Sequence, residues 1–298
     1  MDEFCLIAEV LRPLATHEGA HGLQDDGATL PRAPMGQEWR ITTDTLIAGV
    51  HFRPDDPIEG VAWRALATNV SDLVAQLATP QFYTLNLSLP HRIDIQALGQ
   101  GLAQAQGAFG LSLLGGDTTK TPGPLSLCVT AFGLGTIGDN PLRCRAKIGH
   151  RIGLLPAPHG PLGAARAGFA GIKAYEAAYL RPIPCLEALE VLQGAQIAAL
   201  ADVSDGLLQD LGHICTASGV GAEVWMDHVP VAVPHVSKQE QITWGDDYAL
   251  VMSAEVLPDL EGLSEIGRIV SGKTVKLLDG AGREISFTNS GYTHKINL

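Results

Sequence analysis

Between Trp39 and Ile137 the apolar residues switch repeatedly between two spacings, and a chain that does this must bury helices against a sheet. Trp39 to Ala48 (WRITTDTLIA) alternates as a strand does. Apolar residues at 62, 66, 70, 73 and 77 then follow helical spacing from Gly60 to Thr79, with Pro80 closing the segment. Phe82 to Leu89 alternates again. Ile95, Leu98, Leu102, Ala105 and Phe109 outline a second helix, and the short run LSLL leads to a long strand candidate, LSLCVTAFGLGTI. The order is β-α-β-α-β-β, which predicts an α/β chain with mixed rather than purely parallel sheets.

The stretch GDNPLRCRAKIGHR, 138–151, breaks this pattern with Gly, Asn and Pro and carries four basic residues. A domain boundary is expected there, dividing 1–138 from 139–298, because 298 residues exceed what one hydrophobic core usually serves. Beyond it, helix candidates span 163–178 and 185–198. A buried strand is expected at 197–202, a helix at 206–217 stopped by Gly219, and further strands near 220–225, 248–253, 266–270 and 284–288.

A formal net charge of −12 argues against nucleic-acid backbones and anionic membranes as partners. Five cysteines, odd in number and without C-x-x-C spacing, read as reduced thiols in a cytoplasmic protein and make a cysteine zinc site a poor expectation. The opening MDEFCLIAEV lacks the basic flank of a secretory signal, and no run of about 18 apolar residues suggests a membrane span. Gly133, Gly135 and Gly138 spell G-x-G-x-x-G after a strand, yet Pro141 follows where a dinucleotide loop would open a helix; a glycine-rich strand exit is expected instead. GGDTTK at 115–120 lacks the order of a phosphate-binding P-loop.

The aspartates fall at revealing places. Asp44 lies in ITTDT, Asp72 in NVSDL, Asp117 in LLGGDTT, Asp202 and Asp205 in ADVSDG, and Asp25 and Asp26 in GLQDDGATL. Several sit at expected strand ends or on the helix beside them, where side chains from separate elements can converge. Converging carboxylates repel one another and lose hydration, so bare anions cannot be crowded without taking up protons. Hard divalent cations remove the conflict: Mg²⁺ takes oxygen ligands and is commonly shared between a few carboxylates and a substrate's phosphates. An acidic chain can hold an anion in this way. Leu207, Leu208, Leu211 and Ile214 form the apolar stripe of the helix after ADVSDG, so Asp205 also reads as an ordinary N-cap.

Taken together, GLQDDGATL, TTDTLIAGVHF, TNVSDLVAQLATP, LLGGDTT, ADVSDGLLQDLGHICTASGVGAE and WGDDYAL resemble, in order and spacing, the thiamine-monophosphate kinases, from about residue 3 to residue 294. Those enzymes share a superfamily with aminoimidazole ribonucleotide synthetase and selenophosphate synthetase. The resemblance implies two α/β domains, the first pairing with its copy in a homodimer through its sheet and the second completing a nucleotide and substrate cleft. It implies transfer of the γ-phosphoryl group of ATP onto thiamine monophosphate, with several Mg²⁺ ions. It places Asp26, Thr42, Thr43, Asp44, Asp72, Asp117, Asp202 and Asp205 as magnesium ligands, Thr43 through oxygen atoms. Asp44, Asp72, Asp117 and Asp205 are the implied catalytic set. Gly116, Asp117, Arg143 and Ser204 match ATP-contacting positions, and His51, Asp246 and Tyr292 match positions that hold the acceptor.

The chain also departs from the family. Gln24 replaces a small residue before the paired aspartates. Pro156, Pro158 and Pro161 enter a turn that usually carries an aspartate, and Trp244, Asp246 and Ala249 replace a glycine and two glutamates. The indole of Trp244 could stack on a ring or obstruct one. Two other readings stand beside the first. One is a different ATP-using enzyme of the superfamily, weakened by Cys5 lying in an amphipathic helix pattern and by the cysteine-free C-terminus HKINL. The other is a non-catalytic or altered-specificity member that binds nucleotide or thiamine phosphates.

Overall fold

The structure is a computed structural model that describes residues 3–231 and 233–294. It divides into two compact units, one of Met1–Leu73 with Ala78–Gly138, the other of Val74–Leu77 with Asp139–Leu298.

The first unit is built on a four-stranded sheet: β1 (Gln37–Ile47), β2 (Thr79–Leu89), β3 (Ser112–Lys120) and β4 (Ser126–Thr136), in the order β1-β4-β2-β3. β4 runs antiparallel to both β1 and β2, and β2 runs parallel to β3, giving the expected mixed sheet. One face is apolar. Leu85 and Leu87 of β2 and Leu127, Val129 and Ala131 of β4 are all at most 2% exposed, while their neighbours along each strand face outward. Helix Ile58–Ala75 is buried on nearly every side, including the polar Asn69 and Ser71, and helix Ile95–Phe109 is capped by Asp94 at its start and Gly110 at its end.

The first helix ends earlier than its apolar spacing predicts. Leu77 takes φ 53°, and Pro80 is the second residue of β2 and does not close the helix. Proline is tolerated there because the β2–β4 register shifts between Pro80 and Phe82, so no regular ladder bond needs its missing N–H. Gly133 and Gly135 lie within β4, and no helix opens after Gly138.

The second unit carries a seven-stranded sheet, β11-β10-β7-β9-β5-β8-β6. Its strands are β5 (Arg151–Leu155), β6 (Ala199–Asp202), β7 (Gly221–Trp225), β8 (Leu250–Ala254), β9 (Ser264–Val270), β10 (Val275–Leu278) and β11 (Glu284–Ile285). β5 and β10 are not anticipated by spacing. RIGLL is short, central and buried after Arg151, so it shows no alternation to read. The helix expected over 163–178 breaks into Ala164–Phe169, a 3₁₀ turn at Lys173–Tyr175 and Glu176–Leu180, with Gly171 at φ 87° in the break. The one expected over 185–198 reduces to a 3₁₀ turn and Leu189–Gln193. Helix Leu207–Ser218 forms as expected and stops at Gly219, its Leu207, Leu211 and Ile214 stripe joining Ile152, Val224 and Val251 in the core. Among the described residues no helix is long and apolar enough to cross a membrane.

Gly101 shows how closely the first unit is packed. A Cβ there would lie 2.4 Å from the Glu59 carbonyl oxygen and 2.8 Å from Ala62 Cβ. Alanine gains about 1 kcal/mol of helix propensity, but overpacking against backbone costs about 1–3 kcal/mol, and the backbone cannot rotate away. Gly101→Ala is therefore expected to lower the urea midpoint, by about 1 kcal/mol of stability; a midpoint at or above the parent's would show that the helices separate without cost.

Candidate functional site

The second unit concentrates its carboxylates around one turn. Asp202 closes β6 at 4% exposure, Ser204 is exposed, Asp205 is half-buried, and Gly206 leads into helix Leu207–Ser218. The expected N-cap role of Asp205 is not what the structure shows. Gly206 occupies the cap position without a side-chain bond, and Asp210, from inside the helix, reaches back instead. Its Oδ2 accepts the backbone N–H groups of Ser204, Asp205 and Gly206, each at 3.1 Å. Gly206 N–H is one of the donors that a helix start leaves without partners, and the N–H groups of Ser204 and Asp205 lie just ahead of it, so an acceptor there is strongly favoured.

The remaining backbone groups of the turn are also engaged. Val203 donates to Ala249 O at 2.8 Å, and Tyr248 and Asp246 donate to the carbonyls of Val203 and Ser204, both at 2.9 Å. Tyr292 donates to the Asp205 carbonyl at 2.9 Å, and Gln209 and Asp210 donate to Gly206 O at 3.0 Å. Gly245 lets the two segments meet backbone to backbone: its φ is 90°, and a Cβ would stand 2.2 Å from Ser204 O.

Electrostatics follow from this crowding. Burial, then the negative charge of Asp205, pushes the Asp210 carboxyl up to about 7, against the pull of the backbone donors and of Arg143. Arg143, in a short 3₁₀ turn, is thereby placed within electrostatic reach of the turn. Oxygen atoms of Asp205 and Asp210 and a ring nitrogen of His213 all lie within 4.8 Å of one another, a spacing that a cation could bridge. Gln209 Nε2 donates to Asp205 Oδ2 at 3.2 Å and also to the Tyr292 carbonyl. Asp246 adopts φ 57° and accepts from the Tyr248 hydroxyl at 3.1 Å.

Trp244, which replaces the family's glycine, packs on the helix that follows the proline-bearing turn. The guanidinium of Arg166 lies 4.7 Å from the Trp244 ring centre, and Phe169 stands 5.4 Å from it on a tilted plane. His159, in the proline-bearing turn, is hydrogen-bonded to the backbone of Ile183 and Asp247. Gly163 N–H donates to Asp247 Oδ1 at 2.7 Å. The other oxygen of Asp247 is buried without a hydrogen-bond partner, and burial raises its carboxyl well above the usual carboxylate range.

In the first unit, Thr42 Oγ1 donates to Asp72 Oδ2 at 2.5 Å, which fixes helix Ile58–Ala75 against β1. Asp44, two residues along β1, shares the face of Thr42, so Thr42, Asp44 and Asp72 gather on the helix side of the sheet. Thr43 turns the other way and bonds Val129 O at 3.0 Å and Thr130 Oγ1 at 3.1 Å. Asp117 does not join the first group. It lies on β3, at the opposite edge of the sheet, in the row Thr45–Cys128–Asn86–Asp117 on the face turned away from the helices. Gly116 sits beside it with φ 156°. His51 folds back on the end of β1, its Nδ1 accepting from Ile47 N–H at 3.0 Å, and Asp26 is exposed in the loop after Gln24.

Sequence reasoning missed Asp210 and Asp247 as parts of the site. Asp210 carried a signal: it falls three residues after Leu207 and four before Ile214, on the helix's apolar stripe, where a carboxylate needs dedicated donors. Asp247 carried none beyond adjacency to Asp246.

Residues 24–136 match the family described as AIR synthase related protein, N-terminal domain. Across 98% of its length the chain is 35% identical to the thiamine-monophosphate kinase of Caulobacter vibrioides, covering 90% of that protein. The crystal structure of thiamine-monophosphate kinase from Stenotrophomonas maltophilia K279a superposes with a TM-score of 0.79 at 33% identity, over 93% of this chain and 96% of that one. AaThiL complexed with AMPPCP and TMP is alike in fold, with a TM-score of 0.77 at 24% identity over 98% of this chain and 97% of that one.

Asp247 yields a pH test. A carboxyl whose folded value is raised binds its proton in the native state while the unfolded chain has lost it, so stability falls as pH rises above the unfolded value near 3.8. Asp247→Asn removes this dependence. Urea midpoints of parent and variant are expected to be most alike below the unfolded value, and the variant's midpoint to be the higher near pH 8; parallel pH profiles would contradict a raised Asp247 carboxyl.

Proposed function

The chain belongs to the thiamine-monophosphate kinase family, and on that premise we propose that it transfers the γ-phosphoryl group of ATP to thiamine monophosphate. An oxygen of the acceptor phosphate attacks Pγ, the bond from Pγ to the bridging oxygen of ADP breaks, and the products are thiamine diphosphate and ADP. The acceptor phosphate is already ionised near neutral pH, so neither a protein nucleophile nor a strong base is needed. Position and charge neutralisation carry the rate.

The observation that supports this reading most is the turn Val203–Gly206. It presents Ser204 and Asp205, assigned here to nucleotide and metal, and it is hydrogen-bonded to the segments carrying Asp246 and Tyr292, assigned to the acceptor. Donor-side and acceptor-side residues thus share one rigid strip of backbone. Arg143 is assigned to the ATP phosphates and His51 to orienting the acceptor. Thr42, Asp44 and Asp72 in the first unit offer oxygen atoms that suit a hard divalent cation, and in the second unit Asp205 does so, with Asp202 assigned by the family correspondence alone. Mg²⁺ held there would offset the negative charge of two phosphorylated substrates. The assignments of Asp26, Thr43, Gly116 and Asp117 rest on the family correspondence alone.

The same reading places the protein in the cytoplasm as a homodimer. β1 offers an open sheet edge of 11 residues, with Ile41 61% exposed on the face turned from the helices. A second copy could cover that edge.

Incubation with ATP, Mg²⁺ and thiamine monophosphate is expected to give thiamine diphosphate, with a loss on the order of 100-fold or more in Asp44→Asn and in Asp205→Asn. ATP binding without product, in protein that is folded and loaded with Mg²⁺, would instead support a non-catalytic member.

A further inference from the structure

Asp210 is 2% exposed, and no role in the reaction has been assigned to it above. One of its oxygens collects the N–H groups of three consecutive residues, Ser204, Asp205 and Gly206. Three consecutive peptide N–H groups converge on one point only if the peptide planes between them are held in a particular set of orientations. With the N–H groups turned inward, the carbonyls of Ser204 and Asp205 point away from Asp210, and these are the carbonyls that accept from Asp246 N–H and Tyr292 N–H at 2.9 Å. The two sets of bonds are thus opposite ends of the same peptides.

We propose that Asp210 is a positioning residue that fixes the peptide planes of 204–206 and, through their carbonyls, holds the acceptor-side residues Asp246 and Tyr292 in register with the donor-side residues Ser204 and Asp205. The inference rests on the site assignment given under the proposed function, but the backbone geometry at its centre does not depend on any ligand. Asp210 acts through the acceptor oxygen it offers, not through its charge. An amide oxygen in the same place can accept the same three N–H groups, and its NH₂ would face the neighbouring carboxylate of Asp205, which lies within bridging distance. A glutamate keeps the charge and moves the oxygen by a methylene. An alanine removes the acceptor and leaves three donors, one buried and two partly buried, without it.

The test compares Asp210→Asn, Asp210→Glu and Asp210→Ala in the full-length protein by amide hydrogen exchange and by steady-state kinetics. In the alanine variant, exchange at 204–206 and at the amides of Asp246 and Tyr292 is expected to quicken at least tenfold. KM is expected to rise several-fold for ATP and for thiamine monophosphate together. Asparagine is expected to recover most of the protection and both KM values, and glutamate not to recover them. A residue that merely stabilised the fold would lower the melting temperature and the active fraction while leaving both KM values in place, and that result would overturn the proposal. So would an asparagine variant as impaired as alanine, or a glutamate variant restored to parent behaviour, since either makes charge or metal ligation the operative property. If the alanine variant does not fold, the asparagine and glutamate pair decides. If the parent shows no turnover, exchange at Asp246 and Tyr292 still decides, because it reads the backbone and not the reaction.

Discussion

Carboxylates brought close together in a fold repel one another and give up hydration, and the arrangement of the second unit is a response to that constraint. Asp202, Asp205, Asp210, Asp246 and Asp247 are drawn around one turn by short loops and backbone contacts. Each of the available remedies is used somewhere. Asp210 receives three backbone donors and the field of Arg143, and burial still pushes its carboxyl up to about 7; Asp247 receives one donor and is pushed by burial well above the usual carboxylate range. Asp205 is half-buried, supported by Gln209 and close to His213, and is the group best placed to be neutralised by a cation. The first unit poses the same problem on a smaller scale, where Thr42 donates to Asp72 beside Asp44.

Much of this was legible in the order of the residues because period and burial go together. Strands with one wet face alternate and can be read, as β1, β2 and β4 show, and the helix at 207–218 announces itself by a stripe and a terminating glycine. Segments buried on both sides cannot be read this way, which is why β5 stayed hidden in RIGLL. Helices shorter than their apolar spacing suggests end where backbone needs intervene, as at Leu77 and Gly171. The family pattern supplied the candidate residues, but sheet register decided which of them meet. Asp44 and Asp72 share a face, whereas Asp117 lies across two strands on the other. The role of Asp210 is tertiary in origin: nothing in DGLLQD states that its last residue accepts the N–H groups of its first two residues and of the serine before them.

Two of the departures from the family, Trp244 and the proline-bearing turn, are held by defined contacts. Trp244 packs against Arg166 and Phe169, residues of the short helix that follows the proline-bearing turn, and that turn is fastened to Asp247 through His159 and Gly163. A substitution of glycine by tryptophan beside a tight backbone contact is accommodated because the neighbouring segment supplies a cation and a ring to cover it. The changes thus fall beside Asp246 without disturbing its hydrogen bond to Ser204.

The central claim is that clustered carboxylates in this protein hold divalent cations that in turn grip phosphates. Anomalous diffraction from crystals grown with Mn²⁺, a non-hydrolysable ATP analogue and thiamine monophosphate tests it most directly. The account predicts metal peaks at roughly 2.1 Å from carboxylate oxygens of Asp205 in the second unit and of the Asp44–Asp72 pair in the first. Manganese found only on the phosphates, with those carboxylates uncoordinated, would contradict it.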